Sequence, residues 1–436
     1  MRRTIKNLIE GYERRQFTPS EILDDHLRNI KSNKNINSFI TVLEKRSERQ
    51  ATNLKMQDLT NDKALFGIPI SYKDSIDIIG TKTTNGSAVP VKKVAKKNAK
   101  IVEILEMLGS ITVGKNNLHE FSTGVTSENA YYGNVINPLN RKYTAGGSSG
   151  GSAASVAAGL VTAAIGTDTS GSVRIPAACC GVPSIKLTYN PELLHGVTPM
   201  SHTLDHIGVI ANSVEDLSKI STQLSSKMEK ANHENLNQVK IGIDLGYFSE
   251  NVDKKIDEMM RLSVNKFNDL GVQIVKIDLS YFADIVSFSR IIGTTEASFH
   301  HQKLFDEFSN EYDNHLFETV KAGRSIKAHS YLEALLKKSY WTKKINQEFD
   351  SVDLILTPLM PITIPTLDRI KNWNNSESIE DCMVRYTQPF NMTGHPAISL
   401  LSGYQTGLMN QSIQLISQHN KESLLFDIAK LYEEKI

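Results

Sequence analysis

Several residue groups in this chain have types and spacings that could carry chemistry. His202 and His206 lie four apart, and His300 and His301 are adjacent. A zinc site usually takes such a pair from one helix and adds a third ligand. Residues 199–208 read as loop, so polar loop histidines with hydrogen-bonded rings are expected rather than a metal centre. Gly146-Gly147-Ser148-Ser149-Gly150 spells Gly-x-Ser-x-Gly, the pattern of a nucleophile elbow that would make Ser148 the attacking hydroxyl. An elbow needs a buried strand directly before it, and Asn140-Arg141-Lys142-Tyr143 is polar. Gly166 to Ser172 has the glycine spacing of a phosphate loop, but Ser172 stands where that loop needs lysine. No Gly-x-Gly-x-x-Gly follows a strand, so no dinucleotide site is expected either. Lys73, Ser148 and Ser172 each have an ordinary reading when taken alone. Lys73 is a solvated strand end beside Asp74, Ser148 a turn residue, and Ser172 the N-cap of a short helix over 174–180.

The elements that would position these residues alternate in type. Thr18-Pro19-Ser20-Glu21 opens a helix, with Thr18 as cap, Pro19 in the first turn and Glu21 completing a capping box. Ile22, Leu23, Leu27 and Ile30 continue it at helical spacing. Residues 67–72 read as a strand leading to Lys73, 101–108 as helix and 111–113 as strand. The Gly/Ser loop 144–152 precedes a small-residue helix over 153–159, a buried strand over 161–166 and a second tight loop over 167–172. Beyond them come a helix capped by Ser213 with Asp216, strands over 239–243 and 272–277, a helix over 252–270 and a late strand over 353–357. The alternation favours an α/β fold. No repeat, low-complexity linker or domain boundary interrupts the 436 residues, so a single domain is expected.

Composition narrows the classes. Hydrophobic residues make up 40% and charged residues 22%, which excludes a disordered or collagen-like chain. The charge sum, 49 − 48 = +1, offers no field for nucleic acid or an anionic membrane. Cys179, Cys180 and Cys382 are too few for a disulfide framework. The most apolar stretch, residues 153–166, is too short to cross a bilayer, which takes about 20 residues. Met1 to Lys6 contain no long apolar run, so a cytoplasmic protein without a secretory leader is expected.

Together the loops match a family. Gly146-Gly147-Ser148-Ser149-Gly150-Gly151-Ser152-Ala153-Ala154 and Gly166-Thr167-Asp168-Thr169-Ser170-Gly171-Ser172-Val173-Arg174-Ile175-Pro176-Ala177 resemble the amidase signature family. So do Gly67-Ile68-Pro69-Ile70-Ser71-Tyr72-Lys73-Asp74, the run from Gly114 to Phe121, Thr203 to Gly208, Asp353 to Pro358 and Pro389 to Ala397. The resemblance covers nearly the whole chain. It implies one α/β/α domain with a large mixed, twisted sheet covered by helices on both faces, with residues 67–210 as its catalytic core. It also implies an amidase that uses a Ser–cisSer–Lys triad. Ser172 would be the acylated nucleophile, Ser148 the bridging serine with a cis peptide bond, and Lys73 the base. The chemistry is coherent: a serine hydroxyl needs an adjacent base, and a lysine can serve if burial lowers its pKa from about 10.4. A hydroxyl both donates and accepts, so Ser148 can relay the proton. Thr169, Ser170, Gly171 and Ser172 would supply a backbone oxyanion hole, although the family commonly has Gly where Ser170 stands. Asp168 and Arg174 would support that loop, or form only a structural ion pair. Gly124, Val125, Ser148 and Thr169 would touch substrate.

One branch of this family is the A subunit of glutamine-dependent tRNA amidotransferase. It carries Ser-Asn-Leu-x-Arg-Tyr-Asp-Gly after Glu-Ala-Ser. Here Glu296-Ala297-Ser298 is followed by Phe299-His300-His301-Gln302-Lys303-Leu304. An arginine expected to hold the glutamine carboxylate falls near Thr342. A stand-alone amidase is therefore favoured, with its substrate set by residues 121–127 and 291–340. The expected partner is a small-molecule amide, with no nucleic acid, membrane or cofactor, and the chain is expected to be a monomer or homodimer. The remaining alternatives are membership of the tRNA amidotransferase branch and a catalytically silent binding protein of the same fold.

Overall fold

Side chains alternate across a strand with a period of two, and that alternation sorts the core of this protein into faces. In the strand Pro69–Lys73, Ile70 and Tyr72 enter one apolar cluster with Leu8, Val102, Leu217 and Phe267. In Ala163–Asp168, Ala163 and Ile165 join the same cluster, while Ala164 turns to a second one with Leu23, Ala153 and Ala177. Helices therefore cover both faces. Ile5–Glu13, Lys100–Met107, Val214–Ser221, Lys254–Asp269 and Glu422–Glu433 lie on the first. Pro19–Ser32, Gly150–Ala157 and Arg174–Cys179 lie on the second. Ser71 and Lys73, out of phase with Ile70 and Tyr72, belong to the second face.

The computed structural model describes residues 3–90, 94–225, 227–229, 238–375 and 377–436. The strands are β1 Phe39–Val42, β2 Pro69–Lys73, β3 Ile111–Asn116, β4 Ala163–Asp168, β5 Ser184–Lys186, β6 His206–Ala211, β7 Lys240–Ile243, β8 Gln273–Lys276, β9 Leu354–Pro358, β10 Ala397–Thr406 and β11 Met409–Ser417. They form one sheet in the order β1-β3-β2-β4-β6-β5-β10-β11-β9-β7-β8. It is mixed: β2 runs parallel to β3 and β4, while β4 and β5 are antiparallel to β6. This is a single-domain α/β fold. Among the described residues no helix is long and apolar enough to cross a membrane.

Most expected elements lie within a few residues of their sequence positions. The capping box of Thr18 and Glu21 is present, and Ser213 accepts from the Asp216 amide. Two differences concern the loops that carry Ser148 and Ser172. The small-residue helix begins at Gly150, not 153, so three residues expected as loop are helical. A β-carbon on Gly151 would sit 2.3 Å from the Asn117 carbonyl oxygen and 2.6 Å from that of Ser38. Glycine is thus kept in a helix it disfavours because neighbouring backbone leaves no room for a side chain. The other difference is that Ser172 does not cap the next helix, whose N-cap residue is Val173 without a side-chain bond.

Candidate active site

The parallel strands β2 and β4 carry Lys73 and Thr167 to one end of the sheet. Lys73 is 0% exposed. Its Nζ donates to Ser148 Oγ at 2.7 Å and to Thr167 Oγ1 at 2.8 Å. Burial pushes the ammonium down to about 7, against the opposing charges of Asp205 and Asp168. Asp74 does not touch it. That carboxylate pairs with Lys115 at 2.6 Å and accepts from the Thr84 amide at 3.0 Å. The expected solvated strand end is instead a buried amine held by two hydroxyls.

Ser148 reaches Lys73 from the loop that leads into Gly150–Ala157. The Gly147–Ser148 peptide bond is cis. The loop is clamped on both sides. The Ser148 carbonyl accepts from the His119 amide at 3.1 Å, and the Ser149 amide donates to the Ser172 carbonyl at 3.1 Å. A β-carbon on Gly147 would fall 2.8 Å from the Ser127 amide nitrogen. Among the described residues no direct hydrogen bond joins the Ser148 and Ser172 hydroxyls; the two segments meet through backbone.

The Ser172 loop is organised by Asp168 at the end of β4. Its carboxylate accepts from the amides of Gly171 (2.8 Å), Val173 (3.1 Å) and Arg174 (3.4 Å), doing the capping expected of Ser172. Arg174 grips the same carboxylate through Nε at 3.1 Å and Nη2 at 2.9 Å. Burial alone would raise the Asp168 carboxyl, but the Arg174 charge and hydrogen bonds hold it below the usual carboxylate range. Arg174 continues to Gln414 Oε1 at 3.0 Å and Asn391 Oδ1 at 2.7 Å. Asn391 in turn donates to the Asp168 carbonyl at 2.7 Å. Because the Gly171 N–H is bound to Asp168, it is not a free donor for an oxyanion. The amides of Thr169, Ser170 and Ser172 have no acceptor among the described residues.

Ser172 opens onto a cavity of about 240 Å³, whose near wall includes Gly124, Val125, Thr169 and Ser170. Thr169 Oγ1 donates to Asp205 Oδ1 at 2.7 Å, and burial pushes the Asp205 carboxyl up to about 6. The far wall comes from the helices Phe282–Phe308 and Asn314–Gly323 and from the segment 378–388. Residues 121–127 and 291–340 thus contribute, as read from the sequence, but Ser289, Arg290 and the 378–388 segment were not anticipated. Nor were Thr167, Asp205, Asn391 and Gln414. Thr167, Asp205 and Asn391 lie in runs that resemble the family, whereas Gln414 carries no local signal. A cavity of about 260 Å³ beside Arg3, Asp25 and His26 holds none of these residues.

The histidines do not converge. His206 belongs to β6 rather than to a loop, and its Nδ1 bonds to the Leu204 carbonyl at 2.7 Å. His202 turns to His300, with 3.2 Å between ring nitrogens, and to Glu296. Among the described residues no three His, Cys, Asp or Glu side chains are grouped to hold a metal ion. The three cysteines are buried and outside any disulfide, and burial pushes the Cys179 thiol up to about 12.

The chain is 30% identical to the A subunit of glutamyl-tRNA(Gln) amidotransferase from Legionella pneumophila, over 99% of this chain and 96% of that protein. It is also 30% identical to the A subunit of the same name from Persephonella marina, over 98% and 96%. Among solved structures, one described as an amidase superposes with a TM-score of 0.92 at 24% identity, covering 100% of both chains. A 6-aminohexanoate cyclic dimer hydrolase with bound substrate superposes at 0.85 and 21% identity, over 99% and 96%. At these identities the superpositions concern the fold. The sequence profile of the Amidase family matches residues 21–426, and the chain belongs to that family of amide hydrolases.

Proposed function

We propose that this amidase cleaves a small carboxamide through an acyl-enzyme on Ser172, with Ser148 as proton relay and Lys73 as general base. One observation carries the reading: a fully buried lysine, with no carboxylate in contact, lies 2.7 Å from the Ser148 hydroxyl. With its pKa near 7, much of Lys73 is neutral at neutral pH. A neutral amine has one lone pair and two N–H bonds. Thr167 takes one of those N–H bonds, so the lone pair can face the Ser148 O–H.

In the forward step Ser172 Oγ attacks the amide carbon while its proton passes to Ser148 and the Ser148 proton passes to Lys73. The carbonyl oxygen gathers negative charge in front of the Thr169, Ser170 and Ser172 amides, which a fixed loop presents without reorganisation. Collapse breaks the C–N bond, and Lys73 returns its proton through Ser148 to the departing nitrogen. Water then adds to the acyl-enzyme by the same relay and releases the acid. Gly124, Val125 and Thr169 form the wall against which the acyl group rests.

Labelling with a fluorophosphonate followed by peptide mass spectrometry tests the assignment. The label is expected on Ser172, with labelling and hydrolysis both lost in Ser172→Ala. A label on Ser148 in an active Ser172→Ala variant overturns it. No labelling and no hydrolysis in the parent protein would favour a silent binding protein.

A second reading has support in the relatives named above: the chain could serve as the amide-cleaving A subunit of a tRNA amidotransferase. Against it stands the run after Ser298, which departs from that branch. Free glutamine is expected to be a poor substrate whether or not the B and C subunits of an amidotransferase are added. Efficient glutamine hydrolysis, or co-purification with those subunits, promotes the second reading.

A further inference from the structure

The charges around the Ser172 cavity are unequal in their freedom. Arg290 Nη2 is bound to Asp381 Oδ1 at 2.5 Å, so this cation is already neutralised by a carboxylate of the same cavity. Glu380 also lines the cavity and makes no salt bridge or hydrogen bond among the described residues. The acidic pair alone would say little, because two adjacent carboxylates at a helix start are often only solvated. A second observation points to a ligand. Gln388 is 7% exposed, its side-chain amide has no partner among the described residues, and it lines the same cavity. The Ser289 hydroxyl, also on the wall, is buried and unpartnered. Buried polar groups left without partners are costly and normally find them. The remaining titratable side chain of the wall, His315, stands edge to face against His119, with ring centres 6.1 Å apart.

We infer that the cavity selects small amides whose non-reacting end carries a positive charge, read by Glu380, and hydrogen-bonding groups, read by Gln388 and Ser289, and that it disfavours carboxylates. This rests on the proposal that Ser172 is the reacting residue. A carboxylate would have to displace Asp381 from Arg290 and face Glu380, whereas an ammonium gains a counter-ion without breaking the existing pair. The volume of about 240 Å³ holds about eight waters, which suits a ligand of similar heavy-atom count.

Three amides of near-equal size separate the effects: 4-aminobutanamide, butanamide and succinamate. Their binding to Ser172→Ala is measured by calorimetry at low ionic strength, so that turnover is not required. 4-Aminobutanamide is expected to bind about tenfold tighter than succinamate, since the attraction of Glu380 for the ammonium and its repulsion of the carboxylate add in the ratio. In Ser172→Ala carrying Glu380→Lys the order should reverse. Equal or tighter binding of succinamate to the first protein overturns the inference, as does an unchanged order with Glu380→Lys or no binding by any of the three. Hydrolysis of the amides by Ser172→Ala would instead overturn the role of Ser172, and the binding order would still be read.

Discussion

Two lysines on neighbouring strands, at the same end of the sheet but on opposite faces, live in opposite electrostatic surroundings. Lys73 ends β2, and Lys115 lies on β3 opposite Tyr72. Both are fully buried. Lys115 has Asp74 at 2.6 Å and donates to Thr83 Oγ1 at 2.8 Å and to the Lys82 carbonyl at 2.9 Å. Lys73 has only the hydroxyls of Ser148 and Thr167. Burial lowers both amines, but for Lys115 the nearest opposing influence is a carboxylate in direct contact, whereas for Lys73 it comes from Asp205 and Asp168 at longer range. The difference teaches that burial alone does not make a base. What separates the two is the contact that burial leaves out, and chain direction supplies it: Asp74 follows Lys73 but turns across to the neighbouring strand.

The strongest way to break the comparison is to make Lys73 unable to lose its proton. Lys73→Arg keeps the charge and adds donors, and a guanidinium stays protonated in a protein. Amide hydrolysis should fall by about 10³-fold or more in steady-state assays, with activated esters falling less because their leaving group needs no proton. An active Lys73→Arg enzyme with an unchanged pH profile would make Lys73 structural, like its neighbour.

Breaking the other pair should be felt in stability first. Asp74→Asn strands the buried Lys115 charge, and losing one partner of a buried pair costs about 3–5 kcal/mol. Denaturant titration at neutral pH checks this. A loss confined to kcat, with stability unchanged, would mean that the two lysine sites are not separate in function.

The comparison sharpens if Lys73 is given what Lys115 has. Thr167→Asp would set a carboxylate beside Lys73 and raise its pKa by about one to three units. In the parent, the acylation rate should rise with pH through about 7 and stay high into the alkaline range. In the variant that limb should move upward by at least about one unit, measured by stopped-flow acylation.

The last effect is thermodynamic. The folded pKa of Lys73 lies near 7 and the unfolded value near 10.4, so between them the unfolded chain holds a proton that the folded chain lacks. Stability from this group therefore rises with pH across that window, and below about pH 7 the folded protein carries the full cost of the buried charge. Lys73→Met should raise the melting temperature at about pH 6, with the gain shrinking toward about pH 10. A gain independent of pH from about 6 to 10 would show that folding does not lower the pKa of Lys73.

How much of this could be read beforehand depends on the range of the interaction. The capping box at Thr18 and the cap at Ser213 are local and lie where expected. The apolar runs around β2, β3 and β4 mark strands because their periodicity is local too. The start of the Gly150–Ala157 helix was not legible, since the Asn117 and Ser38 carbonyls that require glycine come from distant chain. His206 read as loop because a buried strand histidine whose Nδ1 bonds the Leu204 carbonyl leaves no pattern. Ser172 read as a cap because nothing nearby shows that Asp168 takes the amides. The wall residues Arg290 and Glu380 come from separate helices and Gln388 from a turn, and they meet only in three dimensions.

Arg174 also sets a schedule for the birth of the protein. Its partners Thr387, Asn391 and Gln414 follow it by 213, 217 and 240 residues. At about 5–20 residues per second, the ribosome delivers the last of them roughly 12–50 s after Arg174 itself. Until β11 docks, the guanidinium has Asp168 but lacks the amide oxygens of Asn391 and Gln414, and the Ser172 loop is held from one side only. The nascent chain therefore emerges with Ser172, the proposed nucleophile, unset. A chain that stops before Gln414 keeps Lys73, Ser148 and Ser172 but lacks the glutamine that completes the Arg174 network, so it is expected to be inactive toward amides.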